Sequence, residues 1–141
     1  MIKSKLISVD PGKYATKAVA LNRNNQMEKV YFRTKVFKLN NNMGLEAQGK
    51  SYNVTLEGED YIIGDQGEEI DYAVDKANIN HKLATYTAAT QLLDDFKAIR
   101  LVIGCPTSIY RNKSLRNDYK DYIWNNGSVK VVVNNKLHSF L

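Results

Sequence analysis

"ISVDPGKYATKAVAL", from Ile7 to Leu21, is an apolar strand that runs into an acid, a proline and a glycine and then resumes as a second strand. Proline presets φ and glycine tolerates a positive φ, so Asp10, Pro11 and Gly12 read first as the turn of a β-hairpin. Such a turn also exposes backbone N–H groups that no ladder uses, and successive N–H groups pointing into one concavity form a nest for an anion. On that sharper reading Gly12 lets the backbone approach a phosphate. A carboxylate beside a phosphate implies a cation between them, and Mg²⁺ keeps several waters while one or two carboxylates and phosphate oxygens hold it. Asp10 would then order a hydrated Mg²⁺. Lys17, seven residues on in the returning strand, folds back toward the turn as a positive point charge. Lys13, in the turn itself, either faces the phosphate or is simply solvated. The chain has no Walker-type loop and no GxGxxG run, so neither of those phosphate-binding designs applies.

Outward from the hairpin, composition bounds the rest. With 141 residues, 43% of them hydrophobic and 25% charged, the chain suits one ordinary globular core. Its net charge of +5 is spread without a dense basic block, which favours solubility over direct DNA binding. The single Cys105 can form no internal disulfide and fits a reducing compartment. No apolar run reaches the length of a signal core or a membrane span, so a cytoplasmic location is expected.

Hydrophobic periodicity predicts strands over residues 6–10 and 15–22 and a long two-sided strand from Met27 to Leu39. Two short strands follow, Tyr52 to Leu56 and Tyr61 to Gly64, joined by a turn over Glu57, Gly58, Glu59 and Asp60. A helix is expected from a cap at Asn80 through Phe96, with Leu83, Tyr86, Ala89, Thr90 and Leu93 inward. "AIRLVIGC" reads as a strand ending at Gly104. A second helix is expected over Ile109 to Trp124, with Tyr110, Leu115, Tyr119, Tyr122 and Ile123 inward, and one strand and the start of another close the chain. The order is that of a mixed α/β layer arrangement.

At Asp10, Gly12 and Lys17 the sequence resembles the actin-like ATPases, which open with an Asp-x-Gly phosphate hairpin. "TKAVAL" is similar to the returning strand of ParM-like plasmid-segregation proteins. "YIIGDQG" (Tyr61 to Gly67), "NINHKLATYTAATQLL" and "LVIGCPTSIYRNK" (Leu101 to Lys113) resemble later stretches of the same N-terminal domain. The resemblance implies an α/β fold over residues 1–141, an actin-like (ribonuclease H-like) N-terminal lobe. There a mixed β-sheet flanked by helices carries a small β-rich inserted subdomain over about residues 35–80.

It also implies Asp10, Pro11, Gly12, Lys13 and Lys17 as nucleotide-binding residues, with Asp10 catalytic and holding Mg²⁺ through water. The implied cofactors are ATP (or GTP) and Mg²⁺. The implied partners are further copies of the protein in a filament and a DNA-binding adaptor, without membrane contact. Asp-x-Gly occurs once, and the family's second phosphate loop, adenosine-binding glycine motif and catalytic Glu or Gln have no counterpart up to Leu141. ATP hydrolysis is therefore expected of an intact two-lobed protein and not of this stretch alone.

Two other classes fit some residues: a non-catalytic interaction module whose turn is only structural, and a fragment of a sugar or acetate kinase of the same fold. His81 and His138 lack companions at metal-ligand spacing and read as surface or capping residues. Asp94 and Asp95 read as a solvated face, and the corner at Cys105 to Ser108 as shaping a loop.

Overall fold

The computed structural model describes residues 3–12, 14–39, 51–65, 68–69, 79–94, 96–104, 111–124, 127–134 and 136–140. The alternation at the start of the chain becomes an antiparallel meander of β1 (Ser4–Pro11), β2 (Ala15–Leu21) and β3 (Met27–Arg33). One face carries buried Ile7, Val9, Ala18, Ala20 and Phe32, and the other carries exposed Leu6, Asp10, Lys17, Leu21 and Tyr31.

The pattern from Met27 to Leu39 does not form one strand. It breaks at Thr34, where β3 stays in the first sheet and β4 (Lys35–Leu39) joins a second. Thr34 is buried there, and its hydroxyl meets that of Thr16 at 2.8 Å. Strands β5 (Ser51–Leu56) and β6 (Glu59–Gly64) form a hairpin closed by two residues rather than four. Glu57 and Gly58 take φ of 53° and 79°, the double left-handed geometry that matches the twist of adjoining strands. The short β7 (Glu68–Glu69) pairs with the other edge of β4.

Helix α1 (Ile79–Leu92) is shorter than expected at its C-terminal end: Asn80 lies inside it and Phe96 beyond it. Asp94, at φ 54°, stands just past the end in the left-handed conformation that commonly terminates helices. The helix is buried from His81 through Thr90 because it lies against both sheets, touching β1, β2, β3 and β5. A helix so enclosed has no wet side, and alanines and threonines let the backbones of both layers approach. His81 is accordingly a buried residue and not a surface one. Asp94 is not simply solvated either; its carboxylate lies 2.6 Å from the buried ammonium of Lys5, which ties the end of α1 to β1.

Strand β8 (Ala98–Ile103) lies parallel to β1, pairing Ile7 with Leu101 and Val9 with Ile103. The first sheet therefore runs β3-β2-β1-β8. Helix α2 (Lys113–Trp124) begins after Asn112, whose side-chain oxygen accepts the Ser114 and Leu115 N–H groups at 3.1 and 3.2 Å. That cap sets the start later than Ile109. Tyr119 and Ile123 are buried and Tyr122 is half-buried, whereas Leu115, in the first turn, is 48% exposed. Cys105 to Tyr110 lie outside the described residues.

The closing hairpin, β9 (Val129–Val133) and β10 (Lys136–Phe140), joins the second sheet, which runs β10-β9-β5-β6-β4-β7. Asn53 and Asn134 fix that attachment: the Asn53 N–H donates to the Asn134 side chain at 3.0 Å, and the Asn134 N–H donates to the Asn53 carbonyl at 2.8 Å. Among the described residues, no helix is long and apolar enough to cross a membrane.

Candidate functional site

In parallel sheets, ligands gather at the carboxyl ends of the strands, where chain direction changes and backbone groups are free. Here β1 and β8 run parallel and end side by side, so the turn after Asp10 and the chain after Ile103 share one rim. The Gly104 N–H continues the ladder, donating to the Val9 carbonyl at 3.1 Å.

Register then sets four residues in a row across the exposed face. Lys17 pairs with Asp10 on one side and Tyr31 on the other, and Gly104 lies beside Asp10. The carboxylate and the ammonium are thus on the same side of the sheet, opposite α1, and both are exposed. A β-carbon at Gly104 would stand 2.9 Å from Asp10 Oδ1. The missing side chain is what gives the carboxylate its place. Tyr119 donates its hydroxyl to the Gly104 carbonyl at 3.3 Å, so α2 helps hold that backbone.

Pro11 is buried at the end of β1, opposite Thr16. At Gly12 the reason for glycine is proximity rather than a positive φ, since a β-carbon would lie 2.7 Å from the Ala15 carbonyl oxygen. The returning limb is fastened from β3. The Tyr14 carbonyl accepts the Thr34 N–H at 2.9 Å and Arg33 Nε–H at 3.2 Å, while the Arg33 guanidinium lies 3.7 Å from the centre of the Tyr14 ring. Lys13 lies outside the described residues.

Among the residues read from the sequence, the structure brings Asp10, Pro11, Gly12 and Lys17 together. Gly104, Tyr31, Arg33 and Thr34 join them without having been singled out as site residues. Only Gly104 had a signal, the Gly-x-Pro at the end of its strand. Among the described residues no cluster of three or more His, Cys, Asp or Glu could hold a metal alone. A single carboxylate on an open rim suits a cation that keeps most of its waters and takes further oxygens from its ligand. A cavity of about 430 Å³, lined by Thr85, Leu101, Ile103 and Trp124 among others, opens on the opposite face of β8 and is mainly apolar, unlike a triphosphate site.

The chain matches, over residues 8–140, the family model described as the N-terminal domain of actin-like proteins. No curated protein matches it. Among solved structures, the Alp12 filament shares 38% identity at a TM-score of 0.70, over 97% of this chain and 44% of its own. AlfA from B. subtilis plasmid pLS32, also a filament, shares 17% identity at a TM-score of 0.73, over 97% of this chain and 52% of its own. ParM of Bacillus thuringiensis in its apo form shares 15% identity at a TM-score of 0.64, over 97% of this chain and 43% of its own. The chain spans about half the length of these proteins, or less. With its opening Asp-x-Gly hairpin, central enclosed helix and two sheets, it belongs to the actin-like proteins, as an N-terminal domain of that family.

Proposed function

We propose that this lobe binds the phosphates of ATP or GTP in an actin-like ATPase that polymerises into filaments for plasmid segregation. The observation that carries the reading is the row of Gly104, Asp10 and Lys17 at the joint carboxyl ends of β1 and β8, directly beside a hairpin turn. Structures of similar fold support it: an AlfA filament bound to AMPPNP and ParM with AMPPNP, ATP or ADP.

In this reading the backbone from Asp10 to Gly12 cradles the β- and γ-phosphates, and Asp10 orients the water shell of Mg²⁺. Lys17 offsets negative charge that builds on the transferred group. Bound Mg²⁺ would supply neutralisation of the phosphate oxygens. Lys13 is a further phosphate contact from the turn. The intact protein works in the cytoplasm, assembles with its own copies, and reaches DNA through an adaptor rather than directly. A head-to-tail contact that does not close gives an open filament.

The test is Asp10→Ala in the intact two-lobed protein. Loss of a preorganised electrostatic contact at the reacting phosphates is expected to lower Mg-ATP hydrolysis by about 100-fold or more and to stop nucleotide-driven turnover of light scattering. Unchanged Mg-dependent turnover would refute the assignment.

A further inference from the structure

Thr34 is the one residue between β3, in the first sheet, and β4, in the second. It also makes two contacts with the returning limb of the phosphate hairpin. Its N–H donates to the Tyr14 carbonyl at 2.9 Å, and its hydroxyl pairs with that of Thr16 at 2.8 Å. Both threonines are buried, at 0% and 1% exposure, so neither hydroxyl can exchange this partner for water without opening the core. Arg33 adds a second donor to the same carbonyl at 3.2 Å and stacks its planar guanidinium 3.7 Å from the Tyr14 ring centre. Lysine cannot reproduce that combination of fork and stack.

We infer that Arg33 and Thr34 are positioning residues for the anion-binding turn, and that Thr34 makes the turn's conformation mechanically continuous with the second sheet. This rests on the phosphate-binding reading only for the identity of the ligand. The Tyr14–Ala15 peptide plane is held by two donors on its carbonyl side. A ligand that draws in the amides of the turn must therefore stretch those bonds or carry Thr34 with it. Beyond Thr34 the chain enters β4, whose Val36 to Leu39 pair with Ile63 back to Asp60 of β6, so the displacement passes into a ladder rather than into a loop. The reverse holds as well, because a second sheet held in another orientation biases the turn.

The experiment is residue-resolved amide hydrogen exchange on the intact two-lobed protein, with Mg-ATP titrated by calorimetry. Thr34→Val, which keeps shape but orphans the Thr16 hydroxyl, and Arg33→Ala are each expected to speed exchange at Ala15 and Thr16 about fivefold to tenfold. They should weaken Mg-ATP binding by a similar factor, and should abolish any ligand-induced protection in β4 and β6. Thr34→Ser, which keeps the hydroxyl, should restore all three readouts. If Thr34→Val destabilises the chain broadly, Thr16→Val/Thr34→Val removes both hydroxyls, so stability should return while coupling to β4 stays lost. Wild-type exchange and affinity in Arg33→Ala and Thr34→Val would overturn the inference, provided Asp10→Ala weakens binding. If Asp10→Ala has no effect on Mg-ATP, the phosphate reading fails instead, and ligand-free exchange at Ala15 and Thr16 alone decides whether Arg33 and Thr34 hold the turn.

Discussion

Replacing Gly104 by alanine separates the folding role of the rim from its chemistry. The new methyl would stand 2.9 Å from Asp10 Oδ1, whereas ordinary contact begins near 3.4 Å, so the carboxylate oxygen must retreat by about 0.5 Å. A rotation of roughly 13° about the first side-chain torsion of Asp10 achieves this, at an off-rotamer cost of about 0.3 kcal/mol. Against that, alanine restricts the unfolded chain and returns about 0.4–1 kcal/mol. Net stability should then stay within about 1 kcal/mol of the parent, with Tm moving by less than about 4 °C.

Function should not be spared. Misplacement by 1 Å of a positioned group can cost about 100-fold, so a 0.5 Å retreat implies about tenfold weaker Mg-dependent ATP binding. Calorimetry with and without Mg²⁺, beside a thermal melt, reads both numbers. A variant that binds Mg-ATP like the parent although the Asp10 carboxylate resonance has moved would refute the assignment of Asp10. A variant that loses several kcal/mol would show that Gly104 serves the fold instead.

Gly12→Ala meets a backbone carbonyl, not a side chain, so the turn itself must open, and a cost of about 1–3 kcal/mol in urea unfolding is expected. The buried Lys82 ammonium lies 3.0 Å from the exposed Glu57 carboxylate and 4.4 Å from the Tyr122 ring centre. Lys82→Met should be neutral within about 1 kcal/mol, whereas Glu57→Ala, which removes one partner of a buried charge, should cost about 1–2 kcal/mol by the same assay. Burial, with a smaller contribution from Glu57, pushes the Tyr86 hydroxyl well above the usual tyrosine range, and that hydroxyl donates to the Ile123 carbonyl at 2.7 Å. Its contribution is complete below pH 10 and is lost as pH rises further, because the unfolded phenol ionises first; Tyr86→Phe should flatten that alkaline decline in a pH series of melts.

The strands of the first sheet were legible because each has a dry face and a wet one. The break at Thr34 was not, because Val30, Phe32, Thr34 and Val36 keep the same alternation through it, and a change of sheet leaves no mark on a period of two. The destination of β9 was equally hidden, since its valines suit any sheet and its partner β5 lies far away in sequence. At the rim, the pairing of Asp10 with Lys17 follows from the hairpin, while their reading as site residues, with Gly12, came from the resemblance and not from spacing alone. Gly104, Tyr31 and Arg33 arrive by register across strands and through a turn, which spacing does not encode.

Because α1 is enclosed by both sheets, neither layer has a complete apolar interior without it. The two sheets should consequently melt as one cooperative unit, with the innermost amides of the helix exchanging only through global opening. Severing the chain between the sheets should yield no independently folded half, and so any flexing between them during a working cycle must pivot around an intact helix.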